Sequence, residues 1–313
     1  MTKETELSSN MRTRARLIAS AGGIETALAD NSMDPIQTVS LSEAVVLGLL
    51  KQNVRKYLAI FGHGSTDLGE VLRVYEEEGV TRTFNCRNEV AMAHTATALA
   101  WQYGETPAVV TSIGPGALQA MAGSLAAASN GVGVYHIYGD ETTGGEGYNM
   151  QQVPKEEQGL FGRLTAVMGQ SYTLHTPAAL RECLRRGTMC VHHPYKAGPF
   201  YLLLPLNTQP QMITVNLATL PSQAQFAEMA PAGDHGFAEW RVAHPRRAKA
   251  LDQPVGGAEH AAVDADILAE QNNIGVVLQC ACQRCPDGVD HRHVSHRQAP
   301  LPGLRCLRVA RRR

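Results

Sequence analysis

Thr111-Ser112-Ile113-Gly114-Pro115-Gly116-Ala117 is the stretch whose reading decides the fold. A short apolar run, Pro107 to Ser112, stops at it, and a helix built of small residues, Leu118 to Ser129, leaves it. An uninterrupted apolar run, a Gly/Pro turn and then a helical period predict a buried strand feeding a crossover helix. The same rhythm extends in both directions. Upstream, Thr81 to Cys86 reads as a strand, and Arg87-Asn88-Glu89 opens an Ala-rich helix from Asn88 to Tyr103 that Gly104 stops. Further upstream, a serine-capped helix is expected from Ser42. A strand at Tyr57–Phe61 then ends on Gly62-His63-Gly64, and a helix from Asp67 to Glu78 closes at Gly79. Downstream, Gly133 to Tyr138 reads as a strand, Pro177 to Cys190 as a helix and Phe200 to Pro205 as a last buried strand.

Continuous apolar strands alternating with helices predict the α/β class, a parallel sheet with helices on both faces. Sites in such sheets lie at the carboxyl ends of the strands. Gly62-His63-Gly64, Arg87-Asn88-Glu89, Ile113-Gly114-Pro115-Gly116 and Gly139-Asp140 all fall there. The convergence of four unusual segments on one edge says more than any one of them.

Composition narrows the function classes. Hydrophobic residues make up 44% of the 313 and aromatics only 5%, a balance suited to closely packed helices. A net charge of −1 gives no overall pull toward nucleic acid or a membrane surface, although the residues from Ala281 onward carry eight arginines against two aspartates. The polar opening residues do not read as a signal peptide, and no stretch has the length of a membrane span. Seven cysteines, four of them near the end of the chain, do not form a secreted disulfide framework, so a cytoplasmic location is expected.

Glu89 is the expected catalytic residue. Its helix, Val90-Ala91-Met92-Ala93-His94-Thr95-Ala96, offers a carboxylate little solvation, a placement that costs free energy unless the group handles a proton. Taken alone, a glutamate in a first turn is simply favourable to the helix dipole. In Gly114-Pro115-Gly116 the glycines lack a Cβ and the proline fixes φ, so the backbone can come close to a flat ring; alone it is a plain turn. His63 is either a proton carrier or a loop residue. Gly62 and Gly64 are no dinucleotide fingerprint, because the third glycine and the acidic residue about 20 positions on are missing. That argues against a nucleotide- or coenzyme A-binding domain.

The segments FGHGSTDLGEVL, NEVAMAHTATALA, TSIGPGALQAMAG and NMQQV resemble the pyrimidine-binding domain of thiamine diphosphate enzymes. They are similar to the trihydroxycyclohexanedione hydrolases of inositol catabolism and, more distantly, to acetolactate synthases. The resemblance spans roughly residues 40–205. It implies a thiamine diphosphate- and Mg2+-dependent enzyme acting on a 2-keto acid or a cyclic diketone, oligomeric, with active sites between subunits. Glu89 then matches the glutamate that hydrogen-bonds a ring nitrogen of the aminopyrimidine. Gly62, His63, Gly64, Ser112, Gly114, Pro115 and Gly116 line the cofactor, and Gln151 or Gln152 matches a glutamine pair near the reacting centre. Thr142-Thr143-Gly144-Gly145 belongs to a segment shorter and richer in glycine than the family's.

Three domains are expected: an extension over 1–37 that packs late or not at all, the pyrimidine-binding domain over 38–210, and an irregular tail over 211–313. The tail reads as either disordered or out-of-frame translation, since no hydrophobic period holds there. The family's Gly-Asp-Gly motif for Mg2+ is matched only by chance at Gly233-Asp234 and Asn272-Asn273, so Mg2+ is expected only through a separate domain or a partner chain. Cys280, Cys282 and Cys285 with His291, His293 and His296 have ligand types that suit zinc but a spacing that fits no standard finger. The isolated chain is accordingly expected to be inactive, a homo-oligomer or the partner of a diphosphate-binding subunit. The alternative is a non-catalytic α/β module that pairs with a full-length relative.

Overall fold

The computed structural model describes residues 3–144 and 159–223, with side chains from Asn10 onward. Contacts divide the chain into Met1–Gly256 and Gly257–Arg313, and every described element belongs to the first unit. Two helices open it, α1 (Lys3–Ser20) and α2 (Ile24–Ala29), followed by strand β1 (Ile36–Ser40) and helix α3 (Leu41–Leu50). The α/β alternation then runs β2 (Lys56–Ile60), α4 (Thr66–Glu77), β3 (Arg82–Phe84), α5 (Glu89–Tyr103), β4 (Ala108–Thr111), α6 (Pro115–Asn130) and β5 (Val134–Asp140). After it come α7 (Leu160–Met168), β6 (Gln170–Thr173), α8 (Leu180–Val191), β7 (Pro199–Pro205) and β8 (Met212–Asn216).

Six strands form one sheet in the order β3-β2-β4-β5-β7-β6, and all five pairings are parallel. This is the expected α/β architecture. Alternate residues of each strand feed opposite faces, as the pleat requires. Tyr57, Ala59, Val110, Tyr135, Ile137, Leu202 and Leu204 join the large core beneath α3, α4 and α8. Leu58, Val109, Val134, Tyr138, Tyr201 and Leu203 join a smaller core beneath α5, α6 and α7.

The expected packing of residues 1–37 requires correction. Met11, Ala15 and Ile18 are spaced to line one face of α1, and they enter the large core. Arg14 extends from the same face to Glu43, which is fully buried on α3, and donates from Nε and Nη2 at 2.7 and 2.6 Å. Tyr75 on α4 donates to the same carboxylate at 2.9 Å. Its phenol is pushed well above the ordinary value by burial and then by the Glu43 charge. Arg12 adds ion pairs to Glu77 and Glu78. The helix is therefore pinned by polar partners inside the domain.

Two further differences concern α3 and the end of the domain. The cap of α3 is Ser40, whose side chain accepts from the Glu43 N–H at 3.2 Å, not Ser42. All ten residues of α3 are buried, because α4 and α8 cover it along with β1 and β8; the amphipathic reading does not hold. β8 pairs antiparallel with β1, in register Val39↔Ile213, and Leu217 and Leu220 are buried in the large core. Compact structure thus continues past residue 210. The Cys280–His296 cluster and the other readings of the tail lie outside the described residues, as do Gln151 and Gln152.

Candidate active site

Three turns meet at the carboxyl edge of the sheet. After β2 the chain passes through Gly62, an exposed His63 and a buried Gly64, with a single 3-10 turn over His63–Ser65. After β4 it passes through Ser112, Ile113 and Gly114 into α6. After β3 it reaches Asn88, whose side chain accepts from the Ala91 N–H at 2.8 Å and so caps α5 with Glu89 as the first helical residue.

The first two turns are in contact. The Gly64 N–H donates to Ser112 Oγ at 3.0 Å. A Cβ added to Gly62 would sit 2.8 Å from the Ser112 Cβ, and one added to Gly64 would sit 3.0 Å from the Ile113 nitrogen. Side chains there would force the two turns apart. Gly114 has φ +80° and ψ −127°, a backbone region that glycine alone occupies without strain. Pro115 follows at the first helical position, where its missing N–H is no loss.

Glu89 reaches the second of these turns. It is half-buried, and its Oε1 lies 3.0 Å from where a Cβ on Gly116 would stand, a position that Thr111 Oγ1 also crowds. Among the described residues its carboxylate has no hydrogen-bond or ion-pair partner. The close approach depends on how α5 and α6 pack. Gly123 of α6 faces Val90 and Ala93 of α5, and a Cβ there would lie 2.7 Å from the Val90 carbonyl. The small residues that made this region look helical in the sequence also let the two helices nearly touch.

The structure thus brings together Gly62, His63, Gly64 and Ser112 on one side, and Glu89, Gly114, Pro115 and Gly116 on the other. The result is an edge of closely approaching backbone, with the Glu89 carboxylate set against Gly116 and, among the described residues, without a partner. Such an arrangement fits a flat heterocycle that needs close backbone approach and a single proton-handling group. Nearby, burial raises the Asp67 carboxyl and the Cys86 thiol above their ordinary values. Among the described residues no group of three or more His, Cys, Asp or Glu could hold a metal ion.

Two residues of this edge were not picked out as site residues in the sequence reading. Gly139 lets β5 pass directly against the Gly64 backbone, where a Cβ would lie 2.5 Å from the Gly64 carbonyl carbon. Gln209 is buried and donates from Nε2 to the Gly64 carbonyl at 2.8 Å. An apolar strand ending in Gly139-Asp140 was a usable signal for the first; a glutamine in a polar turn carried none for the second.

Residues 39–159 match the family described as thiamine pyrophosphate enzyme, N-terminal TPP binding domain. The match supports the N-terminal domain of a thiamine diphosphate-dependent enzyme for this part of the chain, with thiamine diphosphate as its cofactor. No curated protein matches the chain. No helix among the described residues is long and apolar enough to cross a membrane.

Proposed function

We propose that residues 38–210 are the pyrimidine-binding half of a thiamine diphosphate enzyme that acts on a small 2-keto acid or cyclic diketone, in the manner of trihydroxycyclohexanedione hydrolases and acetolactate synthases. The observation that carries the reading is the unpartnered Glu89 carboxylate set against the Gly114–Gly116 bend. Bound thiamine diphosphate supplies a carbon nucleophile for carbon–carbon bond chemistry. Glu89 holds a proton at a ring nitrogen of the aminopyrimidine. Gly114, Pro115 and Gly116 let the ring lie against backbone, Ser112 fixes the Gly62–Gly64 turn, and His63 passes protons to substrate. Gln151 and Gln152 are proposed to lie near the reacting centre on the strength of the sequence resemblance.

The diphosphate and its Mg2+ are held by a separate domain or a partner chain, in a homo-oligomer or with a second subunit. The surface of α6 supports such a partner. The helix has no charged residue and exposes Leu118 and Leu125, the latter at 55%. The described cysteines Cys86, Cys183 and Cys190 are free thiols, in keeping with a cytoplasmic setting.

The test is Glu89→Gln in the assembly that contains the Mg2+-binding domain. Hydrogen–deuterium exchange at the thiazolium carbon of the bound cofactor should fall by about 10²–10⁴-fold, the range for a lost general acid–base. Exchange at the unaltered rate removes Glu89 from the role.

A further inference from the structure

Gln209 lies beyond the last strand of the sheet, yet its side chain ends beneath the turn that carries His63. Its Nε2 donates to the Gly64 carbonyl at 2.8 Å and to the Leu204 carbonyl at 3.0 Å. Both partners are acceptors only, so the amide can face them in one orientation, nitrogen inward. That leaves Oε1 buried without a partner among the described residues. A buried acceptor without a donor is a cost, and the fold bears it to aim the nitrogen at Gly64.

The backbone of Gln209 is tied elsewhere. Its carbonyl accepts from the Ser42 N–H at 3.1 Å, at the start of the fully buried helix α3, and from Ser42 Oγ at 3.3 Å. Next to it, Thr208 Oγ1 bonds the Leu174 and Pro205 carbonyls. One end of Gln209 is thus set in the rigid large core and the other grips the turn. Gly64 is held at its N–H by Ser112 Oγ and at its carbonyl by Gln209 Nε2, and β5 packs against that carbonyl closely enough that Gly139 admits no Cβ.

We propose that Gln209 is a positioning residue: it clamps Gly64 and through it sets the place of His63 at the carboxyl edge of the sheet. The proposal rests on the cofactor-site reading for its meaning, but the clamp itself can be measured without cofactor. In the full chain, Gln209→Met removes both donors at similar volume. The Gly64 amide is then expected to exchange with solvent at least tenfold faster, and the His63 ring resonances to shift, while the Val39 and Val215 amides of the β1/β8 ribbon keep their protection. Gln209→Glu supplies the discriminating control. Its ionised carboxylate cannot donate, so Gly64 protection, corrected for intrinsic exchange, is expected to be lost at pH 8 and partly restored at pH 5, where the protonated carboxyl donates again. A merely structural role would lower protection everywhere and would not return with acid. Unchanged Gly64 exchange in folded Gln209→Met, or loss spread evenly over the ribbon and the turn, overturns the clamp. Because the exchange measurement needs no cofactor, its failure leaves the Glu89 assignment standing, and failure of the Glu89 test leaves the clamp standing.

Discussion

The two faces of the sheet are built on opposite plans. The face covered by α3, α4 and α8 holds large aliphatic and aromatic side chains around the buried Arg14–Glu43 ion pair, and it also receives α1. On the other face, α5 and α6 contribute the small residues Ala96, Ala117, Ala120 and Ala127 to the core, and the two helices meet across Gly123. Large interlocking side chains give the first face its stability. The second face gives up burial per residue so that two helix starts, Glu89 and Pro115, can be brought side by side. Stability and site geometry are therefore separable, and substitutions on the two faces should fail in different ways.

The largest effect is expected on the first face. Arg14→Met would leave the Glu43 carboxylate buried with only Tyr75 as a partner, a type of loss that costs about 3–5 kcal/mol. Pairing it with Glu43→Leu removes the stranded charge and should recover most of that loss. Urea unfolding of the two variants checks this, and equal destabilisation of both would mean that Arg14 contributes packing alone. Neither variant should move Glu89 relative to Gly116.

On the second face the balance reverses. Gly123→Ala places a methyl 2.7 Å from the Val90 carbonyl and 2.9 Å from the Ala93 Cβ, so α5 must move away from α6. Overpacking of this kind costs about 1–3 kcal/mol, less than the Arg14 change. Its effect on the Glu89–Gly116 approach should be greater, because Val90 adjoins Glu89. A thermal melt together with amide shifts at Gly116 separates the two outcomes: a modest drop in melting temperature with displaced Gly116 resonances is expected. Unmoved Gly116 resonances would mean that the spacing of the two helices does not set the site.

Acid sharpens the comparison further. His136 lies on the second face, fully buried, with Nδ1 3.0 Å from the Tyr138 hydroxyl and the Tyr201 ring beside it. Burial depresses its pKa to about 3. Below about pH 6.5 the unfolded chain takes up a proton at this position that the folded chain refuses. Its contribution to stability is therefore complete above that pH and is lost as pH falls toward 3, by about 1.4 kcal/mol per pH unit. His136→Gln should flatten the dependence between pH 6 and 4 by that amount, measured as the difference in urea midpoint between variant and parent. An equal slope in the two proteins would place a compensating charge near the ring.

How much of this was legible depends on how local each interaction is. The site helix α5 could be read because its signals sit inside it: the Asn88 cap, Glu89 in the first turn and Gly104 at the end, where φ is +70°. Glu89 and the Gly114–Gly116 bend could be placed on one edge by strand logic alone. The docking of α1 could not, since Arg14 finds Glu43 29 positions later and nothing in the polar sequence of α1 announces a buried partner. Gln209 is more remote still, 145 positions from Gly64. Strand β6, Gln170–Thr173, was missed because an edge strand with no fully buried residue has no apolar run to show.

The misread cap provides the smallest and most pointed test. Both Ser40 and Ser42 precede a helical apolar run, and sequence pattern alone does not choose between them. The structure chooses Ser40, which has extended backbone angles (φ −66°, ψ 156°) and accepts from the Glu43 N–H, whereas Ser42 is already inside the helix and makes only a long 3.3 Å bond to the Gln209 carbonyl. Ser40→Ala should cost about 1 kcal/mol, the usual value of a side-chain N-cap. Ser42→Ala should cost less than half of that, because the Ser42 N–H still holds the Gln209 carbonyl at 3.1 Å. Denaturant midpoints of the two variants decide it, and the reverse order would put the start of α3 two residues later. Since Ser40 caps the helix that carries Glu43, its loss belongs to the stability face and should leave the Gly64 and Gly116 amides where they are.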